Sequence, residues 1–284
     1  MTNRLFHGDN LPVMHQLPSD TIDLIYTDPP FLSGRHYSDK SGTRCFSDVW
    51  TMPNYLAWLM PRFQEMHRLL KPTGTIYVHL DWHAVHHARV EMDKMFGHLR
   101  NEIIWHYNSG GRGKKDFGKR HDTILRYSKG PNYCFNDGTV REPYSFKTKM
   151  PTNKAHYYDP RGKVMDDVWY IPIIPQNDKT ERVNYPTQKP IELLQRIIEV
   201  SSNPGDLVAD FFCGSGTFVM AAQGLRLRRD EKGKRMFHHS EHSRQWIACD
   251  QSQVAIDVTT KRLSKLAQRY PLLPHASFKL CAKS

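Results

Sequence analysis

A short apolar run that ends in two consecutive prolines sets the first limit on how this chain folds. The run Ile22-Asp23-Leu24-Ile25-Tyr26 predicts a buried strand, and Asp28-Pro29-Pro30-Phe31 follows one residue later. Because proline has no N–H group and a fixed φ, the chain must leave the sheet at this point. The exit offers a carboxylate, backbone carbonyls that no helix uses, and an aromatic ring. These groups suit a flat ligand that carries an amino group.

A second strand, a glycine turn and a helix are predicted far downstream, over residues 208–217. Gly214 and Gly216 let the backbone approach a ligand closely, and the helix that follows presents free N–H groups. A cofactor commonly binds at such a turn, although a turn without a ligand is the alternative for any Gly-x-Gly. The spacing is not Gly-x-Gly-x-x-Gly, so a nicotinamide dinucleotide is disfavoured.

Together the two stretches resemble the DNA amino-methyltransferases, whose catalytic motif is Asp-Pro-Pro-Tyr/Phe and whose S-adenosylmethionine motif is Phe-x-Gly-x-Gly. The catalytic motif comes first, as in the family's beta group, and the match extends from about Gly8 to near Arg269. The resemblance implies an α/β, Rossmann-like methyltransferase fold with a seven-stranded mixed sheet, helices on both faces and a circularly permuted motif order. It also implies site-specific methyl transfer from S-adenosyl-L-methionine to N6 of an adenine flipped out of duplex DNA.

The resemblance assigns roles to the residues at matching positions. In the catalytic motif Asp28-Pro29-Pro30-Phe31, the Asp28 carboxylate and the Pro29 carbonyl would accept the amino hydrogens of the target base. The Phe31 ring would stack on that base. The residues expected to bind the cofactor are Asp9, Asp28, Thr187, Gln188, Lys189, Asp210, Phe212, Cys213, Gly214, Ser215, Gly216, Thr217 and Asp250.

Four of these cofactor residues carry a more specific expectation. Asp9 would lie against the adenine of the cofactor, and it also suits the N-cap of a predicted helix. Lys189 would meet the cofactor's carboxylate. Asp250 ends a predicted strand next to the glycine turn, where an acid can bind ribose hydroxyls. Cys213 is expected to pack as a small side chain beside the turn and not to act as a nucleophile.

The base that receives the methyl group has an open alternative. An Asp at position 28 favours adenine, since relatives that act on N4 of cytosine more often carry Ser there. N4 of cytosine is therefore the second candidate. A catalytically inactive DNA-binding module of the same fold is another, and RNA is a weaker alternative substrate.

The charge balance indicates the class of partner. The 284 residues include 40 Lys and Arg against 29 Asp and Glu, a net charge of +11, which favours a polyanion such as double-stranded DNA. Five cysteines without paired spacing suit a reducing cytoplasm. No apolar leader and no long apolar run occur, so no membrane span is predicted. The resemblance alone implies a homodimer, and a cognate restriction endonuclease is a further candidate partner.

One catalytic domain is predicted for residues 1–284, with two insertions. Residues 131–185 are aperiodic and contain several prolines, and the resemblance places target recognition there. Residues 226–245 are basic and are expected to form an exposed β-hairpin or loop that contacts DNA or a second subunit. No metal site is predicted, because the pair His83 and His87 has no third ligand nearby.

A basic, glycine-containing loop lies between the predicted strands 101–107 and 122–128. We expect it to hold the DNA backbone beside the active site, with a solvated hairpin loop as the alternative. The last predicted helix should turn Lys261, Arg262, Lys265 and Arg269 outward. The expected DNA contacts, which include one residue just after the catalytic motif, are Arg35, Arg112, Lys114, Lys115, Lys119 and Arg120.

Overall fold

The computed structural model describes residues 3–108, 115–144, 158–231, 234–270 and 277–281. None of the helices in these ranges has the length and apolar character needed to cross a bilayer. The helices are α1 (Asn10–His15), α2 (Met52–Leu69), α3 (Val85–Phe96), α4 (Ile191–Ser201), α5 (Thr217–Ala222) and α6 (Gln253–Arg269). The strands are β1 (Asn3–His7), β2 (Ile22–Thr27), β3 (Arg35–Ser38), β4 (Arg44–Asp48), β5 (Leu70–Leu80), β6 (Leu99–His106), β7 (His121–Ser128), β8 (Arg141–Glu142), β9 (Lys163–Val164), β10 (Val168–Tyr170), β11 (Leu207–Asp210), β12 (Leu225–Arg229), β13 (Arg235–His239), β14 (Gln245–Asp250) and β15 (Phe278–Cys281).

A nine-stranded sheet in the order β10-β6-β7-β5-β2-β11-β14-β1-β15 forms the centre of the fold. Strand β7 runs antiparallel to β5 and β6, and the other neighbouring pairs are parallel. The predicted α/β, Rossmann-like fold with a mixed sheet is confirmed. The count is nine and not seven, because β10 and β15 each add a short strand at an edge. The carboxyl ends of β1, β2, β5, β11 and β14 meet at one edge, where open α/β sheets bind ligands.

The sheet is covered by helices on both faces, as predicted. Successive side chains of β2 alternate between the two sides: Leu24 and Tyr26 join a buried cluster with α4, α5 and α6. Ile25 joins a second cluster with α1, α2 and α3. Burial on both faces explains why the central strands read as nearly continuous apolar runs. The sheet edge that carries the two motifs is therefore held between two packed layers.

The sequence predicts a strand over residues 75–80 and a helix from about Trp82 to Phe96, and the structure corrects the start of each. Strand β5 begins at Leu70, five residues before its predicted start, because Leu70 pairs with Ile22 across an irregularity in the ladder. Helix α3 begins at Val85 and not at Trp82. The preceding turn is closed by Asp81, whose carboxylate accepts a hydrogen bond from the His83 N–H at 2.9 Å.

The interval 131–185 contributes to the central sheet. It contains a 3₁₀ helix (Asp137–Val140), the paired strands β8 and β9, and β10. Strand β10 adds parallel to β6, with Trp169 opposite Trp105. Part of the predicted target-recognition region is thus fixed to the catalytic fold and is not a separate appendage.

The basic insertion forms an antiparallel hairpin of β12 and β13. The β-hairpin was predicted, but two of its arginines turn inward. Arg226 is buried and pairs with Glu199 at 2.5 Å, and Arg235 pairs with Asp178 and Glu181. Some of the positive charge of this insertion is therefore neutralised within the chain.

Candidate active site

The Asp28 carboxylate, predicted to be catalytic, directly follows the end of β2, where the sequence predicts that the chain leaves the sheet. Asp28 is largely buried, and its Oδ2 lies 2.7 Å from Nζ of Lys189. Its Oδ1 is buried and accepts no hydrogen bond from the part of the chain that the structure describes. One carboxylate oxygen is therefore fixed by an ammonium group, and the other is left as an acceptor at the cleft. The expected contact of Lys189 with a cofactor carboxylate stays a prediction.

The Phe31 ring is held from two sides. The His79 ring packs against it at 5.6 Å between centroids, and the Lys189 ammonium lies 5.0 Å from its centroid. One residue earlier, the Pro30 carbonyl accepts a hydrogen bond from the Tyr55 hydroxyl at 2.6 Å. The exit from β2 is thus rigid at both its backbone and its ring.

A buried polar chain lies behind Phe31. His79 Nδ1 is 2.8 Å from the Tyr26 hydroxyl, and His79 Nε2 is 3.1 Å from Asp122 Oδ2. The Tyr107 hydroxyl donates to Asp122 Oδ1 at 3.1 Å. Burial alone would raise the pKa of Asp122, but its interactions with His79, Lys189 and Tyr107 outweigh burial, and the pKa is lowered. The ionised Asp122 carboxylate therefore accepts a hydrogen bond from Nε2–H of His79. Burial raises the pKa of the Tyr26 hydroxyl well above 10.0, so this hydroxyl stays protonated beside Nδ1.

The glycine turn between β11 and α5 has left-handed backbone at Gly214 (φ +48°) and Gly216 (φ +73°). A Cβ on Gly216 would lie 2.5 Å from Thr259 Oγ1, so a larger residue does not fit there. Asp250 Oδ2 accepts a hydrogen bond from the Gly214 N–H at 2.8 Å. The end of β14 and helix α6 together fix the shape of the turn.

Arg262 of α6 supports the same turn, although the sequence predicts an outward position. Its guanidinium donates to the Ser215 carbonyl at 2.6 Å and to Thr217 Oγ1 at 3.1 Å. Burial lowers the pKa of Arg262 to about 10, and Glu181 opposes that shift. The outward prediction fails because helical spacing does not reveal that the carbonyls of the turn lie within reach of this side chain.

Three acids predicted for the cofactor lie around the cleft. Asp9 caps α1 by accepting from the Leu11 N–H at 2.8 Å, and both its oxygens accept from Arg62 at 2.8 Å. Burial raises the pKa of Asp210 well above 3.8 and also raises that of Asp250. Such carboxylates favour a ligand that brings positive charge or hydroxyl donors.

The segment before α4 also reaches the cleft. Thr187 has φ +59°, which is unusual for a β-branched residue and costs energy. The Gln188 amide accepts from the Val183 N–H and donates to the Glu181 carbonyl, both at 2.9 Å. Gln188 thus stabilises the backbone of this segment through two hydrogen bonds, and the strained residue Thr187 lines the cleft.

The motifs enclose one cleft of about 980 Å³, a volume that includes the open solvent at its mouth. All of the predicted cofactor residues line it except Gly216, and so does the whole of Asp28-Pro29-Pro30-Phe31. Trp58 and Phe212 form an aromatic wall, with ring centroids 5.7 Å apart. Burial raises the pKa of the Cys213 thiol well above 9.0, so this group stays protonated. The predicted role of Cys213 in packing fits this observation.

The predicted DNA contacts are only partly described. Arg35, Lys115 and Lys119 are exposed, and Arg120 is partly buried. Lys119 Nζ lies 3.7 Å from the centroid of the Trp82 ring, and Trp82 is two residues beyond the carboxyl end of β5. Arg112 and Lys114 lie outside the described residues. Within the described ranges, His, Cys, Asp and Glu side chains form no group of three that could hold a metal ion.

Several cleft residues have no clear signal in the sequence. Arg62 lies on the buried side of α2, with its guanidinium carbon 4.3 Å from the centroid of the Trp58 ring. The helical spacing of apolar residues predicts that buried side but gives no sign that an arginine belongs to it. His79 lies inside the apolar strand β5, and its partner Asp122, 43 residues later, is the second residue of β7. A histidine within an apolar run was the one available hint. The pairing itself depends on the antiparallel placement of β7 beside β5.

Comparison with known proteins gives consistent matches. The model of a family described as DNA methylase (N6_N4_Mtase) matches residues 22–261. The DNA adenine methyltransferase YhdJ of Escherichia coli K12 is 32% identical over 224 residues, which is 75% of this chain and 72% of that protein. The solved PvuII DNA methyltransferase, described as cytosine-N4-specific, has a TM-score of 0.65 at 16% identity, over 100% of this chain and 95% of that one. TTHA0409 of Thermus thermophilus, solved with S-adenosyl-L-methionine, has a TM-score of 0.61 at 20% identity, over 100% and 98% of the two chains.

Proposed function

This chain belongs to the N6/N4 DNA methylase family, and we propose that it transfers a methyl group from S-adenosyl-L-methionine to N6 of adenine in double-stranded DNA. The observation that carries the proposal is the buried Oδ1 of Asp28, an acceptor without a partner among the described residues, in the cleft that the Phe31 ring also lines. That pair suits a flat base with an exocyclic amino group. The relative YhdJ, which is named an adenine enzyme, supports adenine as the base.

The residues of the cleft fit the methyl donor. When bound, S-adenosylmethionine supplies an electrophilic methyl group on a positively charged sulfur. Asp210 and Asp250 are buried carboxylates with raised pKa values, and they suit a ligand with positive charge and ribose hydroxyls. Trp58 and Phe212 offer aromatic surface to an adenine ring. Asp9, Thr187 and Gln188 complete the proposed cofactor site, and Lys189 beside them pairs with Asp28.

The chain's own groups would act on the target base. A paired adenine hides its amino group, so the base must be flipped out of the helix. Phe31 stacks on it, an interaction worth about 1–3 kcal/mol. The amino nitrogen is a weak nucleophile because its lone pair is delocalised. Asp28 and the Pro29 carbonyl accept its hydrogens, which favours a pyramidal nitrogen and stabilises the positive charge that develops there.

N4 of cytosine is the second candidate. The same acceptor and ring would serve its amino group, and the PvuII enzyme with the similar fold is described as cytosine-N4-specific. An inactive DNA-binding module would keep the cleft without turnover.

Labelled methyl transfer to unmethylated duplex DNA, with RNA as the competing acceptor, tests the proposed function. We expect label in DNA with the unaltered protein and none with Asp28→Ala, whose affinity for the cofactor should stay within a few-fold. Equal labelling by the two proteins would show that methyl transfer does not require the Asp28 carboxylate. Cofactor binding without any transfer would support the inactive module.

A further inference from the structure

A carboxylate outside the catalytic motif binds the backbone just after it. Asp48, the last residue of β4, is 1% exposed. Its Oδ2 accepts from the Phe31 N–H (3.1 Å), the Ser33 N–H (2.9 Å) and the Ser33 hydroxyl (2.6 Å). Its Oδ1 accepts from the Leu32 N–H at 2.7 Å. All four donors belong to the three residues that follow the prolines. One side chain therefore determines the backbone course of residues 31–33, which we call the Phe31 loop.

The loop needs such support because its backbone is strained. Leu32 has φ +64°, a left-handed conformation that residues with a Cβ rarely adopt. Strained backbone persists where surrounding contacts hold it in place, and it is common where a ligand is bound. A bond from the Gly34 N–H to the Asp48 carbonyl, at 2.9 Å, adds a further tie. Without Asp48, three successive N–H groups would lose their acceptor.

The element that carries Asp48 also reaches the cofactor side of the cleft. In the β3–β4 hairpin, Tyr37 stacks on Phe46 at 4.6 Å, and both rings line the cleft. Cys45 belongs to a small buried cluster with Tyr185 and Ala255, and Phe46 packs against that cluster. The hairpin is therefore anchored on the cofactor half of the site, and Asp48 connects it to the Phe31 loop.

We propose that Asp48 is a positioning residue, which holds the Phe31 loop in the shape that receives the target base and makes the β3–β4 hairpin one wall of the target pocket. The proposal rests on the proposed function, since it takes Phe31 as the ring that stacks on the base. Asp48 acts through Phe31 and the backbone beside it.

Asp48→Ala and Asp39→Ala form a matched pair of variants. Asp39, at the tip of the same hairpin, accepts from the Ser41 N–H, the Ser41 hydroxyl and the Thr43 N–H at 2.6–2.9 Å. We expect Asp48→Ala to lower kcat on unmethylated plasmid DNA on the order of 10²-fold, a loss typical of a misplaced reacting group. The Kd for S-adenosylmethionine should change less than threefold, and Asp39→Ala should keep the kcat of the unaltered protein. Asp48→Asn, which keeps one acceptor oxygen, should fall between the two.

A double-mutant cycle separates positioning from general stability. If Asp48 acts through Phe31, Phe31→Ala combined with Asp48→Ala should be about as slow as Phe31→Ala alone. Losses that multiply, or a kcat for Asp48→Ala within twofold of the unaltered protein, would overturn the proposal.

Amide hydrogen exchange tests the loop without turnover. Asp48→Ala should speed exchange at the amides of residues 31–33, and Asp39→Ala should not. Unchanged protection would overturn the proposal even in a protein that transfers no methyl group, whereas absence of transfer by the unaltered protein would count only against the proposed function.

Discussion

At the scale of single residues, the ion pair between Asp28 and Lys189 is the feature that the sequence predicts least well. Matching Lys189 to the family suggests a contact with the cofactor's carboxylate, yet its ammonium lies 2.7 Å from Asp28 Oδ2. The side chains are 10% and 16% exposed, so solvent screens the pair only partly. The ion pair with Lys189 therefore fixes the orientation of the Asp28 carboxylate, whose Oδ1 has no hydrogen-bond partner among the described residues.

Lys189→Met should lower kcat about 10- to 100-fold, because the Asp28 carboxylate loses its fixed orientation and its counter-ion. The Kd for S-adenosylmethionine, measured by calorimetry, should change less than threefold. Lys71→Met is the matched control, since Lys71 pairs with Asp23 at the same 2.7 Å. A large loss of cofactor affinity with kcat preserved would instead indicate that Lys189 binds the cofactor's carboxylate.

The raised pKa of Asp210 predicts a stability that depends on pH. Its pKa in the folded protein lies well above the usual 3.8, so folding favours the protonated form. The contribution of protonated Asp210 to the free energy of unfolding is present in full below the pKa of the unfolded state. It is lost as the pH rises through the pKa of the folded state. Asp210→Asn keeps the acceptor for the Phe212 N–H and removes the buried charge.

The cofactor-free Asp210→Asn protein should therefore be more stable than the unaltered protein at pH 7–8, because the buried carboxylate no longer has to be kept protonated there. The difference should vanish near pH 4. Urea denaturation across this range measures it. A stability difference that does not change with pH would contradict the assigned cause.

At the scale of elements, the glycine turn between β11 and α5 packs closely against α6. Gly97→Ala and Gly216→Ala separate backbone strain from crowding, since φ is +69° and +73° at the two positions. A Cβ at Gly97 meets no atom within 4 Å, whereas one at Gly216 meets Thr259 at 2.5 Å.

Gly97→Ala should cost about 1–2 kcal/mol of unfolding free energy from φ alone. Gly216→Ala should cost roughly 1–3 kcal/mol more because it also overpacks the contact with α6. Chemical denaturation of both variants gives the comparison. Equal losses would mean that the turn can shift away from Thr259 without cost.

The sequence predicts the elements whose residues carry their own local signal. The prolines after β2 and the glycines after β11 mark where the chain leaves the sheet, and both turns lie at the cleft as expected. Contacts between distant segments are not visible in this way. Asp48 binds the Phe31 N–H from a strand that has no apolar periodicity. Helical spacing predicts that Arg262 points outward, because the sequence does not show that the Ser215 carbonyl lies beside it. The short edge strand β15 is also missed, because four residues give too brief a pattern.

At the scale of the whole molecule, the net charge of +11 supports binding to a polyanion, but its distribution matters more than its sum. Arg226 and Arg235 of the basic hairpin pair with acids of the same chain. Lys115 and Lys119 are exposed in the connection between β6 and β7. That connection begins at the carboxyl end of β6, beside the edge that carries the cleft.

Replacing Lys115 and Lys119 by Ala should weaken DNA binding and flatten its dependence on salt, by about 0.9 in the logarithmic slope for each phosphate that the protein no longer neutralises. The double replacement of Lys261 and Lys265, exposed on α6, removes the same charge and is the control. Fluorescence anisotropy of labelled duplex DNA over a salt series gives the slopes. Identical slopes for both double variants would leave the β6–β7 connection as an ordinary solvated loop.

Identification of the product base is the decisive test of the proposal that this cleft methylates the exocyclic amino group of adenine. Unmethylated bacterial DNA would be incubated with labelled S-adenosylmethionine and the purified protein, digested to nucleosides and analysed by mass spectrometry. We expect labelled N6-methyladenine with the unaltered protein and none after the Asp28→Ala substitution. Labelled N4-methylcytosine as the product would rule out adenine as the target base and make cytosine the substrate.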